Sequence, residues 1–156
     1  MLTRMNPILL LTFAMTASIA LAKEPATISL GHVSPEGLSF AQAEQVFIVA
    51  MKHKGYKLEK PNAFIEDMPG ENGKPPLPGY FGFNLRYAGP KAVSLSGSGW
   101  FAVSVLTGDV LSFHRCERVV FPALQRLQEH IMKQTGKTLD DEKAAQREVL
   151  DCTDEN

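Results

Sequence analysis

The sequence predicts an α+β fold, in which an N-terminal helix packs on an antiparallel β-meander of three to five strands and one or two C-terminal helices are tied by a disulfide. Apolar residues recur at helical spacing after Ser39 and again after Pro122. Between these segments, from Phe81 to Phe113, apolar residues alternate with small or polar ones, as strands do. Because the apolar face of such a meander needs cover, we expect helices to pack on it.

Length and charge exclude several classes of protein. The chain has 156 residues, 44% of them hydrophobic, which suits one folded domain and excludes a wholly disordered chain. Lys and Arg number 16 against 17 Asp and Glu, for a net charge of -1. A strongly basic nucleic-acid binder is therefore excluded, because phosphate contact needs an excess of Lys and Arg.

The N-terminus has the layout of a secretory signal peptide. Arg4 precedes the apolar run Pro7 to Ala20, and Ala20-Leu21-Ala22 is a small-x-small cleavage site. We predict a signal peptide over 1–22, a single α+β domain over 23–156 and a periplasmic location. An uncleaved anchor is the weaker alternative, because a membrane span needs roughly 20 apolar residues. No membrane span is expected after cleavage.

Cys116 and Cys152 are expected to pair, because two cysteines in a small exported domain usually do. A bridge between these positions would stabilise the domain by about 3–4 kcal/mol, mainly by restricting the unfolded chain. The alternative is a reactive thiol at Cys116, which His114, Arg115 and Arg118 flank.

Local signals define the first helix and the segment after it. Ser39 and Gln42 form a capping box at the start of a helix over Phe40 to Lys54, and Gly55 ends it. Tyr56 to Glu59 and Ala63 to Glu66 are candidate short strands. Met68 to Gly79 contains four prolines and three glycines, so it cannot be regular and is either a solvated loop or a recognition loop.

The meander and the C-terminal helices follow in order. Thr107-Gly108-Asp109 predicts a tight hairpin turn, with Gly108 free to take a positive φ. Pro122 suits the first position of one helix, which Gly136 ends, and Thr138 caps another. The apolar strand positions are Phe81, Phe83, Leu85 and Tyr87, then Val93 and Leu95, then Phe101, Val103 and Val105, and finally Val110 to Phe113.

No catalytic, cofactor-binding or metal-binding pattern stands out. The histidines lack ligand spacing, and the glycines form no phosphate-binding loop. Paired carboxylates could come from Glu66, Asp67, Glu71 and Asp109, but charged residues near turns are usually solvated, and solvation is the favoured expectation. Asp140 to Glu148 is expected to be a mostly solvated helix face, with its acidic residues placed to suit the helix dipole.

A protein-binding surface is the favoured functional feature. If Phe101 faces the core, Trp100 points outward, and Tyr80 and Arg86 would share the outer face of the neighbouring strand. Tyr, Trp and Arg are enriched in interfaces. Alternatively, Trp100 or Tyr80 packs beneath the C-terminal helix. With three residues of the proline-rich segment, the predicted partner-binding set is Lys74, Pro76, Leu77, Tyr80, Arg86 and Trp100.

The stretch from Gly99 to Leu111, with its Thr107-Gly108-Asp109-Val110 turn, resembles the closing hairpin of PepSY-type domains. That resemblance covers Ser39 to Phe113 and implies a small exported binding module, in some cases a peptidase inhibitor.

In size, export signal and single disulfide, the chain is also similar to periplasmic immunity proteins of type VI secretion systems. These plug the active site of an incoming effector that degrades cell wall or lipid. The favoured function is therefore an exported, non-enzymatic immunity protein with a protein partner and an undetermined oligomeric state. The alternatives are a PepSY-like modulator of an envelope peptidase, or an enzyme using dispersed residues such as Cys116 and His114.

Overall fold

The computed structural model describes residues 29–59, 61–68, 70–72, 74–88 and 95–152, without the side chains of residues 88, 95 and 96. The predicted signal peptide and its cleavage site lie outside the described residues. Among the helices of these ranges, none has the length and apolarity to cross a membrane.

Helix α1 runs over Phe40–His53 and begins as predicted. Ser39 Oγ accepts the backbone N–H of Gln42, and Gln42 Oε1 accepts the backbone N–H of Ser39. Gln42 Nε2 also donates to the carbonyls of Leu30 and His32, which ties the preceding segment to the helix. Gly55 follows the helix with φ 85°, a conformation that suits glycine.

Within the described ranges, five strands form one antiparallel sheet: β1 (Ala63–Asp67), β2 (Tyr80–Ala88), β3 (Leu95–Gly97), β4 (Phe101–Ser104) and β5 (Val110–Ser112). Four of them lie in the order β1-β2-β4-β5, and β3 pairs with the distal part of β2. The α+β prediction is confirmed. Tyr56 to Glu59 forms no strand and instead contains a turn between α1 and β1.

One face of the sheet, called the inner face, packs against α1. Phe83 is fully buried, and its ring stacks on that of Phe47 at a centroid distance of 5.3 Å. Phe40, at the exposed start of α1, meets Phe81 edge-on at 5.4 Å. Burying a phenylalanine stabilises a fold by roughly 1.5–3 kcal/mol, so these rings are a main source of stability. The other strand residues in this core are Leu85, Phe101, Val103 and Val110.

Helix α2 (Pro122–Thr135) begins with Pro122 and ends at Gly136, as predicted. Its apolar stripe completes the inner core through Leu124, Leu127 and Ile131. Gly108 has φ 69°, and a Cβ there would overlap the Ile131 side chain. The turn therefore needs glycine both for its backbone conformation and for the close approach of α2.

Helix α3 (Leu139–Leu150) covers part of the opposite face of the sheet, called the outer face. Cys116 and Cys152 are bonded, with 5.6 Å between their Cα atoms, so the predicted disulfide is confirmed. A second core lies beneath α3 and this bridge. It contains Tyr80, Ala102, Leu111 and Cys152, with Leu77, Phe113, Ala145, Val149 and Leu150 packed around them.

Candidate functional site

The structure separates the residues predicted to bind a partner. Lys74 is exposed, whereas Pro76, Leu77, Arg86 and Trp100 are half-buried. Leu77 packs into the second core. The rest of the set is therefore split between the proline-rich segment and the sheet.

Tyr80 is a correction to that set. It lies on the outer face as expected, but only 1% of its surface is exposed, because α3 covers this end of the face. Its hydroxyl donates to Glu142 Oε1 at 2.8 Å. Burial raises the pKa of Tyr80 far above its usual range, and the charges of Glu142 and Asp109 act in the same direction. Tyr80 is thus a permanent hydrogen-bond donor inside the fold and not a contact for a partner.

Glu142 is the centre of a buried polar network. Its Oε1 accepts hydrogen bonds from the Tyr80 hydroxyl and from Gln146 Nε2. Its Oε2 accepts from Ser104 Oγ at 2.6 Å and from Thr107 Oγ1 at 2.7 Å. The expectation that Asp140 to Glu148 is mostly solvated is wrong at Glu142 and Gln146, which are 4% and 7% exposed. These side chains attach α3 to the sheet.

Asp109 is the second carboxylate of this network and is fully buried, so its expected solvation is also wrong. Arg118 donates to both of its oxygens, from Nε at 2.6 Å and from Nη2 at 2.9 Å. Gln128 Nε2 and Gln146 Nε2 supply two more donors. The hydrogen bond to Asp109 raises the pKa of Arg118, which stays charged. Gln146 links the two carboxylates, since its Nε2 also donates to Glu142.

The chemistry of this network is structural. Each carboxylate accepts four hydrogen bonds from protein donors, and both are shielded from solvent. A general base needs to reach a substrate proton, and these groups are fully engaged inside the fold. Within the described ranges, no group of three or more His, Cys, Asp and Glu residues could hold a metal ion.

Cys116 is not available as a nucleophile, because its sulfur is bonded to Cys152. The alternative of an enzyme that uses Cys116 with His114 is therefore wrong for this oxidised protein. His114 is exposed beside the bridge.

Among the described residues, the side chains of the outer face beyond the edge of α3 stay partly exposed. Here Phe64, Glu66, Arg86 and Trp100 form what we call the open patch. Phe64 is 45% exposed in the middle of β1, where its neighbour Ile65 packs against the inner core. Phe64 was not among the residues predicted to bind a partner, although its alternation with Ile65 indicates that it lies on the opposite face from the core.

The proline-rich segment forms a further accessible feature. Asn72 takes φ 55°, and the backbone N–H of Lys74 bonds the carbonyl of Glu71, so the segment contains a tight turn. A Cβ at Gly70 would overlap the Lys74 carbonyl. Below the turn is a cavity of about 230 Å³, lined by Phe40, Asp67, Met68, Gly70, Lys74, Pro76 and Phe81.

Together these features describe a small α+β protein with a partly exposed, chemically mixed patch and internally bonded acidic groups. The family model described as the type VI secretion system immunity protein Tgi2PP matches residues 37–143. The chain belongs to this family and is an immunity protein that neutralises an effector.

A solved structure supports the same assignment. The chain is similar to a protein in a type VI secretion system effector-immunity complex from Pseudomonas protegens, with 46% sequence identity and a TM-score of 0.72. The match covers 81% of this chain and 98% of that chain. No curated protein matches. The resemblance to immunity proteins is confirmed, while the PepSY resemblance finds no support in these comparisons.

Proposed function

We propose that this immunity protein is exported to the periplasm and acts without catalysis, by binding an effector that degrades cell wall or lipid. The observation that carries the proposal is the likeness to a protein of a solved effector-immunity complex. An immunity protein in the periplasm meets effectors whose substrates are in the envelope, which is why this class of effector is proposed.

Two features support export. The N-terminal sequence has the charged, apolar and small-residue regions of a signal peptide. The Cys116–Cys152 bridge fits an oxidising compartment, because cytosolic thiols are kept reduced.

Binding without catalysis is supported by the state of the buried acidic groups. Asp109 and Glu142 are engaged by internal donors, and Cys116 is engaged in the bridge. The accessible features are instead the turn at Lys74, which is exposed, and the open patch, in which Arg86 and Trp100 are half-buried. Arg and Trp are enriched where proteins contact one another.

The test uses the mature chain 23–156 and two probes, the effector of the Pseudomonas protegens complex and the product of the reading frame next to the gene for this chain. We expect a one-to-one complex with at least one probe and loss of that probe's hydrolytic activity when the chain is added. The chain alone is expected to turn over neither peptidoglycan nor phospholipid. The proposal would be refuted if the chain alone turned over one of these substrates, or if it bound neither probe.

Export has its own measurement. Mass spectrometry of the protein from a periplasmic extract is expected to show a chain that begins at Lys23. A cytoplasmic, full-length product would contradict the localisation but not the binding function.

A further inference from the structure

We infer that the open patch is the docking surface for the effector and that Arg86 recognises a carboxylate of that effector. This inference rests on the proposed function and adds the surface and the chemistry of the contact. The proposed occupant is an effector surface on which an acidic group is flanked by apolar side chains.

The two faces of the sheet are covered to different extents. The inner face is buried against α1 and α2, and α3 with the disulfide covers the outer face at Tyr80 and Leu111. The open patch is the continuation of that same outer face across β1 and β2. A phenylalanine exposed by 45% in mid-strand is a large apolar side chain that the fold does not bury.

The residues of the open patch lie on adjacent strands of the sheet or directly beside them. Phe64 lies directly opposite Arg86, and Arg86 lies directly opposite Gly97. Trp100 follows a short distance beyond Gly97, at the start of β4, and among the described residues it joins neither core cluster. By strand order, Phe64 therefore lies on the β1 side of Arg86, and Trp100 follows the strand on its other side. Trp and Arg are the residues that most often carry the binding energy at interface centres.

Arg86 is held in place, and its side chain keeps some exposure. A Cβ at Gly97 would be 3.0 Å from Arg86 Cδ, so the absence of a side chain there gives the arginine stem its place. Arg86 Nε is 3.6 Å from Glu66 Oε2, and neither atom has a hydrogen-bond partner among the described residues. The arginine side chain is still 27% exposed. A guanidinium has five donors, and because Nε is buried, a bidentate bond to an incoming carboxylate would use the two terminal Nη groups.

The donors of the guanidinium, and not a net charge, favour that ligand, because Arg86 and Glu66 balance each other in charge. Glu66 fixes the guanidinium from one side at a distance too long for a good hydrogen bond. A partner carboxylate would make charge-assisted bonds to the other donors of the guanidinium. The aromatic side chains of the open patch would exclude water from that contact and strengthen it.

The test measures the dissociation constant of the mature chain for the effector probe that the unaltered chain binds. We expect Phe64→Ala and Arg86→Gln each to raise Kd about tenfold or more, because each removes a central interface side chain. Arg86→Lys should lose most of the same affinity, since an ammonium cannot form the two parallel bonds. Arg126→Gln and Val120→Ala, at exposed positions away from the patch, are matched controls and should change Kd less than twofold.

Salt dependence separates a charge contact from a general disturbance. Affinity of the unaltered chain should fall as ionic strength rises, and this fall should be smaller for Arg86→Gln. Thermal unfolding checks that each variant is folded, and Phe64→Ala is the decisive apolar variant because Trp100 is half-buried and its removal can disturb packing.

If the unaltered chain binds and inhibits the probe while the patch variants bind equally well, the docking surface is wrong and the proposed function stands. Loss of affinity on changing Lys74 or Pro76 alone would then place the interface on the proline-rich turn. If the unaltered chain binds neither probe, both the function and the surface are refuted.

Discussion

Replacing Glu142 by alanine tests whether the buried network holds α3 on the sheet. The change removes a carboxylate that accepts hydrogen bonds from Tyr80, Ser104, Thr107 and Gln146. The hydroxyl and amide donors would remain inside the fold with fewer partners, and each unsatisfied buried group costs about 1–3 kcal/mol. Water can enter where Ala145 and Lys137 line the cavity beside Glu142, which has a volume of about 180 Å³.

The expected magnitude follows from these opposing effects. Four lost bonds would suggest a large penalty, but removing a buried charge also relieves its desolvation, and water can replace some bonds. We therefore expect Glu142→Ala to lower the free energy of unfolding by about 3–4 kcal/mol. Glu142→Gln keeps the shape of the side chain, and the neighbouring hydroxyls can rotate to accept hydrogen bonds from the new amide. We therefore expect this change to lower the free energy of unfolding by only about 1 kcal/mol.

The assay is equilibrium unfolding in urea with the disulfide intact. Glu148→Ala, at an exposed position of the same helix, is the matched control and should stay within about 0.5 kcal/mol of the unaltered chain. If Glu142→Ala is no more destabilising than Glu148→Ala, the network does not hold α3, and its hydrogen bonds carry no net stability.

Three further predictions concern the bridge, a turn and a cap. Cys152→Ser is expected to lower the free energy of unfolding by about 2–4 kcal/mol, because the bridge no longer restricts the chain. The same change should increase the rate of amide hydrogen exchange in α3, and equal exchange rates in both proteins would contradict this. Gly108→Ala should lower the free energy of unfolding, measured by thermal unfolding, by at least about 2 kcal/mol, because the φ of Gly108 is positive and the added methyl group meets Ile131. A neutral effect would show that the turn readily relaxes. Hydrogen bonds from Thr138 hold the pKa of Asp141 below its usual value of 3.8. Because the folded-state pKa is the lower one, this cap stabilises α3 above about pH 4 and is lost as pH falls through the folded-state pKa. Urea unfolding between pH 5 and pH 2 should therefore show a smaller pH dependence for Asp141→Asn than for the unaltered chain, and identical curves would refute it.

Local signals in the sequence predicted most of the elements. Ser39 with Gln42, Pro122 and Gly136 act within a turn of their own positions, so the boundaries they predict agree with the structure. The turn at Gly108 follows the same rule, because a positive φ is a property of one residue. The resemblance to immunity proteins rested on global features, and it agrees with the family of the chain.

The candidate site was predicted less completely. Alternation placed Tyr80 and Arg86 on one face correctly, but only the path of α3 decides that Tyr80 is covered while Arg86 remains accessible. The burial of Asp109 and Glu142 was likewise not predictable from their own positions in the sequence. As isolated residues they suit solvent, and their burial depends on donors up to 62 positions away in the chain.

By itself, the amino-acid order determined the strand alternation, the helix caps and the pairing of Cys116 with Cys152. The binding role of Arg86 stays a prediction. The tertiary structure alone decided which half of the outer face is open, and so exposed Phe64 and hid Tyr80. The physical reason is that periodicity states which side of a strand a residue occupies, whereas exposure depends on what packs there, and α3 is brought to one half of the face by long-range contacts that no local pattern contains.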